Sequence, residues 1–439
     1  MTQIRSNNTP FWLLLIGIVL ILLSNSLLTE GMFLDGVTYA CISRNMTIGL
    51  GSFWNPHYTQ TIGNVFHSHP PLAFGLEALL FKAFGDHWWV EKLYSALTFL
   101  VSGILIAAIW KRTTNRPCMA WLPLLFWSVM PIVSWSATNN MLENTMTVFV
   151  LLSVWLMTLS YLKNNKIWLF LAGVALFGAF MSKGFTGLFP LVFPIIYCFF
   201  DDNRHWIQGP IDTLLLMFTL ALLSGVMILA FPTSLAYIKE YFQIQVLSGL
   251  HEATVASRFA ILFAWLGQVA IPIAIVAVLL VVSRISMKST SRVFEFPPDR
   301  KWFFIFLIFG LTGVLPIMLS VKQRDFYMLA ALPFFALALG HLTLSMFTAF
   351  ALKITPNLHK WMTLGASAIL LTGIVLNLCN IGKYGRDEAL IKEVKQRIAE
   401  SDGNNVIEIS PEEFTNWATH AYFMRYGKIS LNPTQQLNE

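Results

Sequence analysis

The sequence predicts an all-α polytopic membrane protein, and three observations carry that prediction. Of 439 residues, 56% are hydrophobic and only 12% charged, about half the charged share of an ordinary soluble domain. Mean hydropathy is +0.63. The apolar residues also gather into about eleven stretches of roughly the length that a hydrocarbon core asks of a helix. A water-soluble globular enzyme and a disordered chain are both excluded. The four cysteines, Cys41, Cys118, Cys198 and Cys379, are scattered without CxxC spacing, so they specify neither a disulfide framework nor a metal-binding pattern. In a chain this apolar, the net charge of +6 reads as topology and an anionic substrate, with no nucleic acid implied.

In chain order the stretches are 11–29, 90–110, 118–136, 144–162, 167–182, 186–200, 211–231, 260–282, 302–320, 326–347 and 361–380. The first follows Arg5 but lacks a small-residue cleavage site after Leu28, so it reads as a retained anchor. With a cytoplasmic N-terminus, the inside segments hold fourteen basic residues and the short outside loops seven, the asymmetry of an N-in, C-out chain. Outside then lie a first loop (30–89) carrying interfacial helices, one of them over 37–48 along the membrane surface, and a second loop (232–259). The polar tail 381–439 follows there, its EVKQRIAE stretch reading as a helix and NVIEIS as a short strand. The expected organisation is a transmembrane domain over 1–380 and a small α/β C-terminal segment over 381–439. Chemistry belongs to the outer face.

Five clusters there can carry it. Asp35, just past the first span, suits an N-cap, or a base at the lipid–water boundary that takes a proton from an acceptor hydroxyl. Phe66-His67-Ser68-His69-Pro70-Pro71-Leu72 starts a helix, where proline loses no hydrogen bond and free N–H groups suit phosphate. His57, His67 and His69 match no helical ligand pair for a metal. Glu143, at the outer end of the fourth span, either begins that helix or serves a site, since carboxylates on membrane helices are costly. Lys183, set among glycines between two apolar stretches, is a snorkelling lysine or an anion contact. Lys322, Arg324 and Tyr327 occupy a short outer turn against the positive-inside rule, where Arg324 can clamp a phosphate with paired donors.

In order and content, Asp35-Gly36, His69-Pro70-Pro71-Leu72, Leu142-Glu143, Ser182-Lys183-Gly184 and Arg324…Tyr327…Pro333 resemble the GT-C glycosyltransferases. The nearest branches are bacterial relatives of protein O-mannosyltransferases and the lipid A aminoarabinose transferases. The resemblance covers roughly residues 10–345. It implies a GT-C-like fold and an enzyme that moves a sugar from a polyprenyl-phosphate-linked donor to a lipid, glycan or protein acceptor, with inversion. The implied setting is the periplasmic face of a bacterial inner membrane, with membrane lipids around the chain. Asp35 matches the catalytic acid, and Glu143 falls where relatives often have Asp. Lys183 matches a lysine near the donor phosphate, which Arg324 and His69 would help to hold. Tyr39 matches a frequent tyrosine, and His251 lies in the second loop where relatives carry polar site residues. Tyr327 and Trp54 are expected against substrate, with Phe53, Tyr58 and Phe66 shaping the sugar pocket. No cofactor is specified, although the resemblance leaves room for a divalent metal ion. The aminoarabinose transferases have Glu-Lys-Pro-Pro where this chain has Ser68-His69-Pro70-Pro71, which favours the mannosyltransferase side. Two other classes fit the hydropathy: a lipid-linked-sugar flippase or transporter, and a polysaccharide polymerase or ligase. Against the first, charged residues gather at span ends and no repeated halves are visible.

Overall fold

The computed structural model describes residues 8–247, 252–286, 300–351, 353–401 and 403–434. Apolar composition builds helices nearly throughout: α1 (Thr9–Leu23), α2 (Leu34–Thr47), α3 (Leu72–Phe84), α4 (Val90–Thr113), α5 (Trp121–Ser128), α6 (Pro131–Ser136), α7 (Leu142–Lys163), α8 (Ile167–Lys183) and α9 (Phe193–Phe199). There follow α10 (Gln208–Ala230), α11 (Thr233–Tyr241), α12 (Ala260–Ser286), α13 (Arg300–Val314), α14 (Leu332–Ala351) and α15 (Pro356–Cys379). The tail adds α16 (Glu388–Glu400), α17 (Pro411–Phe414) and α18 (Trp417–Gly427). A two-residue hairpin joins β1 (Gly51–Ser52) to β2 (Asn55–Pro56), and β3 (Val406–Ile409) pairs in parallel with β4 (Ser430–Pro433).

Among the described residues, eight segments are long and apolar enough to cross a membrane, and Thr9–Leu23 and Pro117–Ser128 are shorter apolar helices. Eight segments thus reach the length of a span, against about eleven expected apolar stretches. Three features account for the difference, the first being α1, which is only 15 residues long. The stretch 118–136 is broken between α5 and α6, where Pro131 starts a new helix. The segment Ile167–Phe199 counts once, yet it doubles back. Gly184 sits at φ +82, and a side chain at Gly187 would lie 2.8 Å from the backbone of Ala179. At the far end Tyr197 stacks on Tyr161 at 4.3 Å. The chain thus rises along α8, reverses at Gly184 and descends through α9. A left-handed backbone suits glycine, which has no Cβ to clash. Here the space is also closed, because a Cβ at Gly184 would fall 1.7 Å from the Tyr241 hydroxyl.

α1 and α15 cross closely through small residues. A Cβ at Gly17 would meet the backbone of Leu370 at 2.8 Å, and one at Gly373 would meet the Gly17 carbonyl at 3.0 Å. Small residues let membrane helices approach backbone to backbone, and Asn377 donates to the Leu20 carbonyl at 2.8 Å. This crossing returns the tail to the first loop, where Glu30 and Tyr384 form a parallel bridge. α2 is packed between α3 and α18, with Ala40, Cys41, Ile42, Ser43 and Asn45 fully buried.

Buried charge fastens the tail. Arg425, 4% exposed, places Nε and Nη2 each 2.9 Å from the two Glu91 oxygens and Nη1 2.7 Å from Asp86. Arg44 reaches Asp86 at 3.0 Å and the Met424 carbonyl at 2.7 Å. Removing one member of such a set strands the others, at a cost of about 3–5 kcal/mol. Arg425→Met should therefore release α16–α18 while the spans stay folded. Limited proteolysis of the membrane-embedded protein checks this, with new cleavage expected between residues 380 and 417; an uncut tail would show that the apolar contacts suffice.

Candidate active site

Three local structures bring the site together. The first turn of α2 carries Asp35, but the N-cap role does not belong to it. The Phe33 N–H donates to Asn139 Oδ1 at 2.7 Å, and Asp35 makes no hydrogen bond or ion pair with a described residue. Gly36 allows the close fit behind it, since a Cβ there would be 2.0 Å from the Asn139 carbonyl oxygen. Beneath α2, Ser43 bridges the Tyr39 carbonyl (2.9 Å) and Glu77 (2.6 Å), and Asn140 donates to Glu77 at 2.8 Å. Burial pushes the Glu77 carboxyl up to about 8. Ser43 has one hydroxyl proton to share between these two acceptors, and Asn140 holds the other Glu77 oxygen.

The second structure is the α8 crest. Lys183 Nζ lies 3.1 Å from Glu143 Oε1, with the two side chains 8% and 1% exposed. Apart from this ion pair, both Glu143 oxygens are buried without a hydrogen-bond partner. Lys183 also lies 5.9 Å from the Tyr39 ring.

The third is the segment 64–71. Tyr237 donates its hydroxyl to the His69 carbonyl, and His67 Nδ1 pairs with Glu240 Oε2 at 2.6 Å. The His69 ring is thereby held edge-on to Tyr39, at 5.9 Å. Burial, with Lys183 and Lys322 nearby, holds His69 well below the usual histidine range, so it is an uncharged donor or acceptor at neutral pH.

These pieces frame two cavities that share His69. One, of about 270 Å³, is lined by Lys183, Glu143, Lys322 and Tyr327 among apolar groups such as Phe185 and Leu319. The other, of about 460 Å³, is lined by Asp35, Thr38, Tyr39, Tyr58, Phe66 and, from the tail, Trp417. Burial raises the Asp35 carboxyl above its ordinary value, opposed by the charges of Lys183 and Arg324.

Of the residues singled out in the sequence, Asp35, Tyr39, His69, Glu143, Lys183 and Tyr327 come together here. Others do not. Trp54 lies outside both cavities because its ring is taken up by Phe231 and Tyr237, at 5.9 and 6.1 Å. The start of α3 lines neither cavity, so Phe66, Ser68 and His69 represent that motif. Arg324 is exposed and acts on Asp35 only through its charge; the cation lining the cavity from that turn is Lys322, paired with Glu252 at 2.8 Å. His251 lies outside the described residues. Sequence reasoning passed over Tyr241, Gln245 and Trp417; Lys322 carried the same signal as Arg324, a positive charge in an outer turn. Among the described residues no three His, Cys, Asp or Glu side chains gather as metal ligands. His57 and His67 are engaged separately, with Asn55 and Glu240.

Residues 68–229 match the family model described as dolichyl-phosphate-mannose-protein mannosyltransferase. Among solved structures, the chain is similar to ArnT from Cupriavidus metallidurans bound to undecaprenyl phosphate. The TM-score is 0.65 at 13% identity, over 97% of this chain and 86% of that one. The apo form of the same protein gives 0.63, also at 13% identity, over 97% and 85%. Archaeal oligosaccharyltransferase AglB from Archaeoglobus fulgidus, in complex with an inhibitory peptide and a dolichol-phosphate, gives 0.54 at 13% identity. That likeness covers 98% of this chain and 64% of AglB. No curated protein matches the sequence. At these identities the likeness is one of fold, and the family match adds the activity, which sets the transporter alternative aside. Residues 68–229 carry the match to that family model, and the chain is a multi-pass membrane glycosyltransferase whose fold is similar to that of ArnT.

Proposed function

We propose that this glycosyltransferase moves a sugar from a polyprenyl-phosphate donor to an acceptor hydroxyl at the periplasmic face of a bacterial inner membrane, with inversion. The supporting observation is the pair of cavities divided by His69, with the Asp35 carboxylate on one side and the buried Lys183 and half-buried Lys322 on the other. Asp35 takes the proton of the acceptor hydroxyl as its oxygen attacks the anomeric carbon. The bond from that carbon to the phosphate oxygen breaks, and the electron pair leaves with the polyprenyl phosphate. Lys183 and Lys322 stabilise the negative charge that grows there, in a site screened from water. Glu143 is a positioning residue that holds the Lys183 ammonium at the cavity wall. The apolar lining from Phe185, Ile317 and Leu319 suits the first isoprene units. The basic residues at the opposite ends of the spans, such as Lys166, Arg204 and Lys301, support the orientation.

Cells lacking the gene should accumulate the polyprenyl-phosphate-linked sugar, and complementation should draw that pool down again. Donor pools that do not respond, measured by lipid mass spectrometry, would sink the reading.

The acid limb of activity gives a separate check. The working form of Asp35 is the carboxylate, which is lost as pH falls through its pKa, and burial raises that pKa. Activity should thus decline at a higher pH than an ordinary aspartate would give. Arg324 opposes the rise, so Arg324→Gln should move the acid limb of kcat/KM further upward; a limb that stays in place would argue against Asp35 as the base.

A further inference from the structure

The second cavity bears on the acceptor, and the inference rests on the transferase reading above. We propose that this cavity is a subsite for a neutral carbohydrate acceptor, seated with one ring hydroxyl at Asp35 and one ring face against Trp417.

The lining makes the case. Tyr39, Tyr58, Phe66 and Trp417 supply aromatic surface, while Thr38 and Ser68 supply hydroxyls. Aromatic walls with a few placed polar groups are the usual make-up of a small-molecule pocket. A pyranose suits such a lining, having C–H faces for the rings and a rim of hydroxyls for the polar atoms. Tyr58 is 3% exposed, and its buried hydroxyl lies beside the Thr38 side chain without a well-formed hydrogen bond. A buried hydroxyl so weakly paired costs free energy, and a sugar hydroxyl entering the cavity relieves that cost. Trp417 is 56% exposed at the first residue of α18, so its indole is available at the mouth of the cavity.

Charge excludes one competing class. Among the described residues no Lys or Arg lines this cavity, and Asp35 is the carboxylate that does. An acceptor that presents a phosphate or a carboxylate would meet the like charge of Asp35 at close range, while Lys183 and Arg324 act on that position only from outside the lining, so it would lack a direct counter-ion, which is costly in a buried site. Peptides are usually read through main-chain hydrogen bonds to a strand edge or through helix grooves, and neither β1–β2 nor β3–β4 lines the cavity. A neutral ring hydroxyl needs only a base and a stacking surface. In the transfer, its oxygen forms the new bond to the donor's anomeric carbon and its proton passes to Asp35. The donor's carbon–oxygen bond to phosphate breaks, and the phosphate keeps the electron pair.

Cells lacking the gene, complemented at matched membrane levels with wild type, Asp35→Asn, Tyr58→Phe, Trp417→Ala or Trp417→Phe, provide the test. Envelope glycans, glycolipids and proteins are separated, and the added sugar is located by mass spectrometry with linkage analysis. The expected result is a sugar on a ring hydroxyl of a carbohydrate, absent with Asp35→Asn. Trp417→Ala should lower product about tenfold, as loss of an aromatic anchor does, and Trp417→Phe should recover most of it. A sugar found on phosphate, or on serine or threonine of a protein, overturns the carbohydrate subsite. So does full product from Trp417→Ala together with Tyr58→Phe. Equal product from Asp35→Asn and wild type overturns the transferase reading instead.

Discussion

Asp35→Asn should lower sugar transfer by about a hundredfold to ten-thousandfold, the range that a positioned general base contributes, while the protein still inserts and folds. The two halves of that expectation have separate causes. Asparagine has nearly the shape of aspartate but cannot take the acceptor's proton. Asp35 makes no hydrogen bond or ion pair with a described residue, and the cap of α2 comes from Asn139, so the substitution removes no structural contact. It even removes a carboxylate that burial disfavours. Turnover measured with purified protein at saturating donor, beside a thermal melt, separates the effects. Unchanged turnover would remove Asp35 from the mechanism; a large loss of stability would mean that its carboxylate holds the fold in a way the contacts do not show.

Lys183→Ala should be damaging twice over. The phosphate loses its nearest buried cation, and Glu143 is left as an unpaired charge with neither oxygen hydrogen-bonded. Breaking a buried pair from one side costs about 3–5 kcal/mol, a large share of the stability of most folded chains. The second effect can be cancelled without the first. In the double variant Lys183→Met with Glu143→Gln no buried charge remains, so the melting temperature should return close to that of wild type. Transfer should stay low, because no ammonium faces the departing phosphate. Glu143→Gln alone should keep the lysine but loosen its position, lowering kcat less than either lysine variant. Recovery of transfer in the double variant would assign the lysine a purely structural role.

The spans were legible because hydropathy is local: twenty apolar residues in a row declare a membrane helix whatever surrounds them. The reversal near 183–187 was legible too, from glycines flanking a lysine, although by length it is merged into a single segment. The cluster of Asp35, Lys183, Glu143, His69, Tyr39 and Tyr327 was recognised through motif order. Trp54 was not separable from Tyr58 and Phe66 on sequence, because which aromatic faces a cavity depends on which neighbours already occupy its ring. The tail was least legible. Its docking rests on Arg44, Asp86, Glu91 and Arg425, drawn from both ends of the chain, and nothing in the local pattern of any one of them names its partner. Glu77 escaped notice for the same reason, since its importance lies in Ser43 and Asn140, which only the packing brings to it.

The seating of α18 over α2 has a consequence in time. Synthesis proceeds from the N-terminus, and early segments fold while later ones are still being made. Asp35, Lys183 and Tyr327 are all in place once α14 has inserted. Trp417 and the Arg425 anchor follow only after α15 has crossed and paired with α1. A nascent chain paused before that point would hold its charged groups around a cavity still open on one side. The site is therefore closed only when α15 and the segment that follows it arrive, and maturation of the acceptor chamber comes after the charged groups are already in place.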